Sequence, residues 1–116
     1  SATDKAEATK IVSDMRNVKA ACLMYYADNS KYPDETTPSA SIDQYLDTTA
    51  KNMSLVSGDS TSLFVKYDTN TAKTPTGVIT KLNDIRKSSG AINGENSTTT
   101  SKDVAVCTGV FMIIRK

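Results

Sequence analysis

The chain has 116 residues, of which 38% are hydrophobic, so it accommodates one domain with a modest core and leaves no room for a second. Its 14 basic and 13 acidic side chains give a net charge of +1, which excludes a global field that would attract nucleic acid or anionic lipid. It has no histidine, the commonest general base and the commonest transition-metal ligand.

The N-terminal stretch, residues 5–29, has the most regular hydrophobic pattern in the chain. Its apolar side chains recur at spacings of three and four, which predicts an amphipathic helix with one buried face and one charged, solvated face. The turn-forming residues Asp28 and Asn29, followed by Pro33, predict the end of this helix. The residues predicted to form its packing face are Ala8, Ile11, Met15, Val18, Cys22 and Tyr25.

The connecting segment, residues 31–62, is predicted to contain one short helix. Ser41 and Gln44 have the spacing of a capping box, which predicts that this helix begins at Ser41. Residues 53–56 of the same segment are β-prone, and two interpretations stay open for them, a strand or the end of a loop.

The remainder, residues 63–116, is predicted to form an antiparallel sheet with an inserted helix. Residues 63–68 alternate and are rich in β-branched and aromatic side chains, which predicts a strand. Residues 78–87 place apolar side chains four and three apart, which predicts a helix capped by Thr76 or Gly77.

Two β-prone runs at the C-terminus, residues 104–107 and 110–114, are separated by Thr108 and Gly109. They form either a tight hairpin or one strand with a bulge at Gly109. We favour the single strand, paired antiparallel with residues 63–68, because a two-residue hairpin turn prefers Asn-Gly. The predicted fold class is therefore α+β, with a long N-terminal helix packed on a small antiparallel sheet in a single domain.

The two cysteines, Cys22 on the packing face and Cys107 in the C-terminal segment, are candidates for a disulfide. An even, sparse count with no CxxC motif is typical of exported proteins. A bond between them would close a loop of roughly 86 residues and stabilise the domain by about 4 to 5 kcal/mol. The alternative is two separate buried thiols, because free cysteine is common in cores. We predict the disulfide.

A resemblance to a known family lies where the helix ends. The run from Leu23 to Pro33, LMYYADNSKYP, resembles the pattern YxxDNGxYP at the end of the long N-terminal helix of type IV pilins and of the major pseudopilins of type II secretion. Ser30 stands where many relatives have Gly. The resemblance implies a pilin-like fold and a structural subunit that polymerises into an extracellular, cell-surface filament through its N-terminal helix.

The same resemblance implies an apolar half of the helix upstream of Ser1. Pilins use that half as a membrane anchor before assembly and then as the filament core, and through it the subunit meets the inner-membrane assembly machinery. The partners expected are therefore further copies of the subunit and that machinery. We predict no specific nucleic acid and no small-molecule substrate.

Two alternatives to a pilin are a type II secretion pseudopilin and an extracellular ligand-binding module of the adhesin kind. The resemblance to major pseudopilins implies a calcium site in the loop before the last strands, and hard cations need several oxygen ligands. That loop offers Asn93, Glu95, Asn96 and Asp103, which are the calcium candidates. It matches no EF-hand pattern and has only two carboxylates, so an ordinary polar loop is the interpretation that we favour. We expect no cofactor, and we expect no catalytic residues or enzyme activity because no catalytic motif is present.

Overall fold

The architecture is a long helix packed against one face of a three-stranded sheet, with a second helix beside the first. The three strands form one antiparallel sheet in which the second strand of the chain lies between the first and the third, so the predicted α+β fold class is confirmed. The structure is a computed structural model that describes residues 1–34, 39–46, 50–58, 62–95 and 104–115. In chain order the elements are α1 (Ala2–Asn29), α2 (Ser39–Asp43), β1 (Met53–Ser57), β2 (Leu63–Asp68), α3 (Thr76–Ser89) and β3 (Gly109–Arg115).

Helix α1 is capped at both ends. The Ser1 hydroxyl accepts a hydrogen bond from the Asp4 amide at 3.2 Å, which completes one half of a capping box. At the other end Ser30 adopts the left-handed conformation with φ 59°, and its amide donates to the Tyr26 carbonyl at 2.8 Å. Glycine takes this conformation without steric cost, so the Gly of the pattern YxxDNGxYP suits the position that Ser30 occupies in this chain.

The core lies between α1 and the inner face of the sheet, and α3 packs beside α1. Five residues of the predicted packing face are buried, and Tyr25 is half-buried. Val12 and Ala21 are buried as well, so the buried stripe is wider than the spacing of three and four predicts. The sheet contributes alternate side chains of its two longer strands to this core, namely Leu63, Val65, Tyr67, Val110, Met112 and Ile114.

The predicted capping box at Ser41 is wrong. Helix α2 begins at Ser39 and ends at Asp43, so Gln44 follows the helix, and its side-chain amide donates to the Ser41 carbonyl at 3.1 Å. Residues 53–56 belong to strand β1, which decides between the two interpretations that the sequence left open. Within the described part of the chain, no helix is long and apolar enough to span a membrane.

The predicted cap of α3 is also wrong. The N-cap is Pro75, in an extended conformation, and Thr76 is already helical. The fixed φ of proline suits the start of a helix, so no side-chain cap is needed to position the first turn. At its C-terminus the helix ends at Gly90, which has φ 68° and donates its amide to the Arg86 carbonyl at 3.0 Å.

The predicted C-terminal strand is longer than the one observed. β3 begins at Gly109 and pairs antiparallel with β2, whereas residues 104–108 precede the strand. Leu63 and Phe64 are adjacent in β2, but their partners in β3 are Arg115 and Ile113. Ile114 is therefore an extra residue without a partner in β2. The bulge is therefore at Ile114 and not at Gly109.

Residues 104–108 are held by hydrogen bonds from α3, from the loop after α3 and from the turn after β2. We call this set of hydrogen bonds the C-terminal clamp. The Asn83 side chain of α3 accepts from the Val106 amide at 2.7 Å and donates to the Val106 carbonyl at 3.2 Å. The Gly94 amide donates to the Val104 carbonyl at 2.7 Å. The Thr69 hydroxyl, which is buried, donates to the Cys107 carbonyl at 2.6 Å. These bonds satisfy the carbonyls of Val104, Val106 and Cys107 and the amide of Val106 without strand pairing.

Removing the side chain that contacts Val106 twice tests the clamp. Asn83→Ala is expected to lower the free energy of unfolding by about 1 to 3 kcal/mol, because it leaves buried backbone groups without partners. Urea denaturation measures the loss. The control is Asp84→Ala on the same helix, where the side chain is 61% exposed; its effect should stay within about 0.5 kcal/mol. Equal losses in the two variants would contradict a role for the clamp.

The predicted disulfide is not formed, because Cys22 and Cys107 are both free thiols. Cys22 is fully buried on α1, and burial raises the pKa of its thiol to about 12. Cys107 is exposed, whereas the preceding Val106 is buried. Cys107 lies in a bend just before β3, and its exposed side chain is outside the core that contains Cys22.

Thiol labelling distinguishes these two sites. In the native protein at pH 8, a colorimetric disulfide reagent is expected to modify one thiol, Cys107, and to reach Cys22 after denaturation, because reaction requires an accessible thiolate. In Cys107→Ser the native protein should not react, and Cys22 should still react after denaturation. If neither cysteine reacts in denaturant until a reductant is added, the disulfide is present and the prediction of two free thiols is contradicted.

An Asx turn closes β2. The Asp68 carboxylate accepts hydrogen bonds from the Asn70 amide at 3.0 Å and the Thr71 amide at 2.9 Å. The bond from Thr71 is the largest cause that lowers the pKa of Asp68 below its usual value. A carboxyl whose pKa is lower in the folded state adds stability above its unfolded pKa, near about 4, and loses it as the pH falls through the folded pKa.

Asp68→Asn isolates that contribution, since it keeps the oxygen acceptor and removes the titration. We expect urea midpoints of the wild type to decrease between about pH 4 and pH 2 by more than those of Asp68→Asn. Measuring both proteins across this range cancels the carboxyl groups that they share. Parallel curves for the two proteins would show that the Asp68 charge does not contribute.

Candidate assembly surface

Three large hydrophobic side chains are exposed together at the C-terminal end of α1. Leu23 is 43% exposed, Met24 is 51% exposed and Tyr26 is 45% exposed. We call these three residues the α1 patch. Leu23 and Tyr26 are three positions apart and share a side of the helix, whereas Met24 points about 100° away from Leu23 and about 160° away from Tyr26. Single exposed apolar residues are ordinary, but a group of three on one helix end is typical of an interaction surface.

The α1 patch rests on a stacked support. The rings of Tyr26 and Tyr32 are stacked with centroids 4.4 Å apart. The Arg115 guanidinium lies 4.9 Å from the centroid of the Tyr32 ring, so one aromatic ring links the end of α1 to the end of β3. Stacked rings and cation–π contacts each add about 0.5 to 1.5 kcal/mol. The support fixes where the patch stands relative to the sheet.

The motif that carries the family resemblance fixes this corner of the molecule. The Tyr45 hydroxyl donates to the Asp28 carboxylate at 2.5 Å, which attaches the turn after α2 to the end of α1 and raises the pKa of Tyr45. The Asn29 side chain donates to the Tyr25 carbonyl at 2.9 Å. Pro33 is fully buried. Each matched residue therefore has a structural role at the helix exit.

The N-terminal half of α1 is charged on its exposed side. Lys10 and Asp14 form an ion pair at 2.8 Å, one helical turn apart, and this bond raises the pKa of Lys10. Exposed pairs of this kind contribute little to stability, so their charges remain available to a partner. A groove of about 330 Å³ separates this half of α1 from α3, and it is lined by Lys5, Thr9, Lys81, Asp84, Ile85 and Ser88.

The calcium candidates lie partly within the described residues. The Asn93 side-chain oxygen accepts a hydrogen bond from the Glu95 amide at 3.0 Å. Asn96 and Asp103 lie outside the residues that the structure describes. Among the described residues there is no group of three or more His, Cys, Asp or Glu side chains placed to hold a metal ion. The four residues therefore stay calcium candidates, beside the favoured interpretation of an ordinary polar loop.

Sequence reasoning missed the α1 patch. Leu23, Met24 and Tyr26 lie off the buried stripe, so the spacing of three and four does not include them. The signal was nevertheless present, because the last three turns of the helix carry no basic residue after Lys19 and contain large apolar side chains on several sides. An apolar residue off the core-facing stripe is a candidate for a contact with another molecule.

Comparison with known proteins identifies the fold. No protein-family model and no curated protein sequence matches this chain. Among solved structures, the chain is similar to the major type IV pilin PilA1 from Clostridium difficile, with a TM-score of 0.63 and 19% sequence identity. The similarity covers 98% of this chain and 98% of that chain, so the long helix and the sheet are matched together. This chain therefore has the fold of a type IV pilin.

Proposed function

We propose that this protein is a pilin, a structural subunit of a type IV pilus that polymerises into an extracellular filament through its N-terminal helix. The observation that carries the proposal is the fold likeness over nearly the whole of both chains. The motif at the end of α1 supports it independently, because Tyr25, Asp28, Asn29, Tyr32 and Pro33 match the family pattern. The function is one of assembly, and no enzyme activity is proposed.

The dimensions of α1 suit this role. Its 28 residues at about 1.5 Å each give a rod of roughly 42 Å. The longest dimension of the molecule is 42 Å, so the exposed side of α1 extends along the whole subunit. The upstream apolar half that the family resemblance implies would anchor the subunit in the membrane and then enter the filament core. Contacts between unlike surfaces of successive subunits leave a helical filament open to growth.

The α1 patch and the charged half of α1 are the surfaces proposed to meet neighbouring subunits. The patch offers apolar area, and the N-terminal half offers side chains of both signs, such as Lys10 and Asp14. Buried apolar contacts supply affinity, whereas complementary charges mainly set register and encounter rate. The polar segments 34–40 and 90–102 would form the outer surface of the filament.

The first experiment detects the chain in filaments. The full gene, with its native upstream sequence, is expressed in its host, and sheared surface material is examined by electron microscopy and mass spectrometry. We expect filaments whose main protein contains this chain preceded by a processed apolar segment. A product that begins near Ser1 and stays dispersed would contradict the proposal and favour the ligand-binding alternative.

Calcium separates a pilus from a type II secretion pseudopilus. A pseudopilin that relies on calcium gains stability when the ion binds the folded state, so its melting temperature rises with calcium concentration. We propose the pilus and expect the purified domain to melt at the same temperature in calcium and in chelator. A calcium-dependent rise that Glu95→Gln reduces would favour the pseudopilin.

A further inference from the structure

The first turns of α1 and α3 lie side by side, and a glycine allows them to come close. A Cβ built on Gly77 would collide with Oδ2 of Asp4 and would lie 2.9 Å from its Cγ, well inside ordinary van der Waals contact. The carboxylate of Asp4 therefore lies directly against the backbone of Gly77, in space that the side chain of any other residue would enter.

The first turn of α3 has no polar cap of its own. Within α3 and its N-cap Pro75, all of which the structure describes, no acidic residue lies in the first turn and no side chain caps it. The first amides of a helix have no partner inside the helix, and the aligned peptide dipoles leave partial positive charge at this end. A carboxylate beside these amides is stabilising, and Asp4 supplies one from a different helix.

Asp4 also belongs to the first turn of α1. Its Oδ2 accepts a hydrogen bond from the Ser1 nitrogen at 3.5 Å, which is the second half of the capping box at the start of α1. The same oxygen is the atom nearest to the Cβ position of Gly77. The Asp4 side chain is 30% exposed, so solvent ions screen its charge less than that of a fully exposed carboxylate. One carboxylate therefore lies between the positive ends of two helices.

We propose that Asp4 and Gly77 form an interlock between α1 and α3, in which the carboxylate of α1 stabilises the first turn of α3 as well as the first turn of α1. The two first turns then form and fray together, so a change at the start of α1 is transmitted to α3. Gly77 is required because a side chain at this position would push the carboxylate away. This inference does not depend on the proposed function.

Amide hydrogen exchange, measured by NMR, tests the interlock at the two ends of α3. The Ile79 amide donates to the Pro75 carbonyl at 3.1 Å in the first turn, and the Gly90 amide donates to the Arg86 carbonyl at 3.0 Å at the other end. In Asp4→Ala we expect exchange of the Ile79 amide to become about two- to fivefold faster and exchange of the Gly90 amide to stay as in the wild type. An unchanged Ile79 rate overturns the proposal. Equal acceleration at both amides would reflect a general loss of stability and overturns it as well.

A double-mutant cycle separates the interlock from the capping box of α1. Asp4→Ala removes both, whereas Gly77→Ala displaces the carboxylate from α3. The decrease in urea midpoint caused by Asp4→Ala should therefore be smaller in the Gly77→Ala protein than in the wild type. Asp14→Ala is the matched control, because Asp14 is a carboxylate of α1 about 15 Å further along the helix, and its effect should be the same in both backgrounds. Equal decreases for Asp4→Ala in the two backgrounds overturn the proposal.

Discussion

Replacing Leu23 and Met24 by glutamate is expected to reduce the yield of filaments by about tenfold or more, because a loss of 1.4 kcal/mol in each subunit contact lowers the binding constant tenfold. Both side chains are about half exposed, so the isolated domain should keep its fold. In a filament, however, each new carboxylate would have to leave water without a partner. Sheared filament protein, quantified against total subunit, measures the effect.

The control for this variant adds the same charge elsewhere. Lys51 is exposed in the turn before β1, so Lys51→Glu changes the net charge by the same two units on another part of the fold. Filaments should form normally with this control. If both variants assemble like the wild type while their domains stay folded, the α1 patch is not a subunit contact. Loss of filaments in the control alone would place the contact at the turn before β1.

Met15→Ala is expected to lower the free energy of unfolding by about 2 to 5 kcal/mol. Met15 is fully buried on α1 and is among the largest side chains enclosed by the core. Truncation removes apolar area and leaves a cavity that the surrounding helices and strands fill only in part. Since small domains have total stabilities of about 5 to 15 kcal/mol, this is a large fraction. Urea denaturation followed by circular dichroism measures it.

Met24→Ala is the matched control, because it makes the same chemical change on the same helix at a side chain that is 51% exposed. Its effect should stay within about 0.5 kcal/mol. The difference between the two variants reports burial and excludes helix propensity, which is common to both. A Met15→Ala loss as small as that of Met24→Ala would contradict the placement of α1 against the sheet.

The long helix and its packing face were predictable because they depend on a local, periodic signal. Ala8, Ile11, Met15, Val18 and Cys22 are all buried. Burial extends to Val12 and Ala21 because α1 meets both the sheet and α3, and a single stripe of spacing three and four describes only one neighbour. Which elements pack against α1, and on which sides, depends on the tertiary structure and cannot be read from the hydrophobic spacing of α1 alone.

The C-terminal region was harder to predict because its partners are distant in sequence. Val106 looked like a strand residue, yet its backbone groups pair with a side chain 23 positions earlier, at Asn83. The disulfide prediction failed for a related reason. Hydrophobic surroundings placed Cys107 inside, but the side of the chain that it occupies is set by its neighbour Val106, which takes the inward position. The buried position is at Val106 and not at Cys107, so the two cysteines cannot meet in the core.

The C-terminal clamp has a consequence for how the domain reaches its native state. The hydrogen bonds from Asn83, Thr69 and Gly94 form without any other reactant, whereas a disulfide would require an oxidant. Fixing residues 104–108 in place therefore requires no oxidation. Unfolding breaks no covalent bond in this segment, so the clamp can form again each time that the chain refolds.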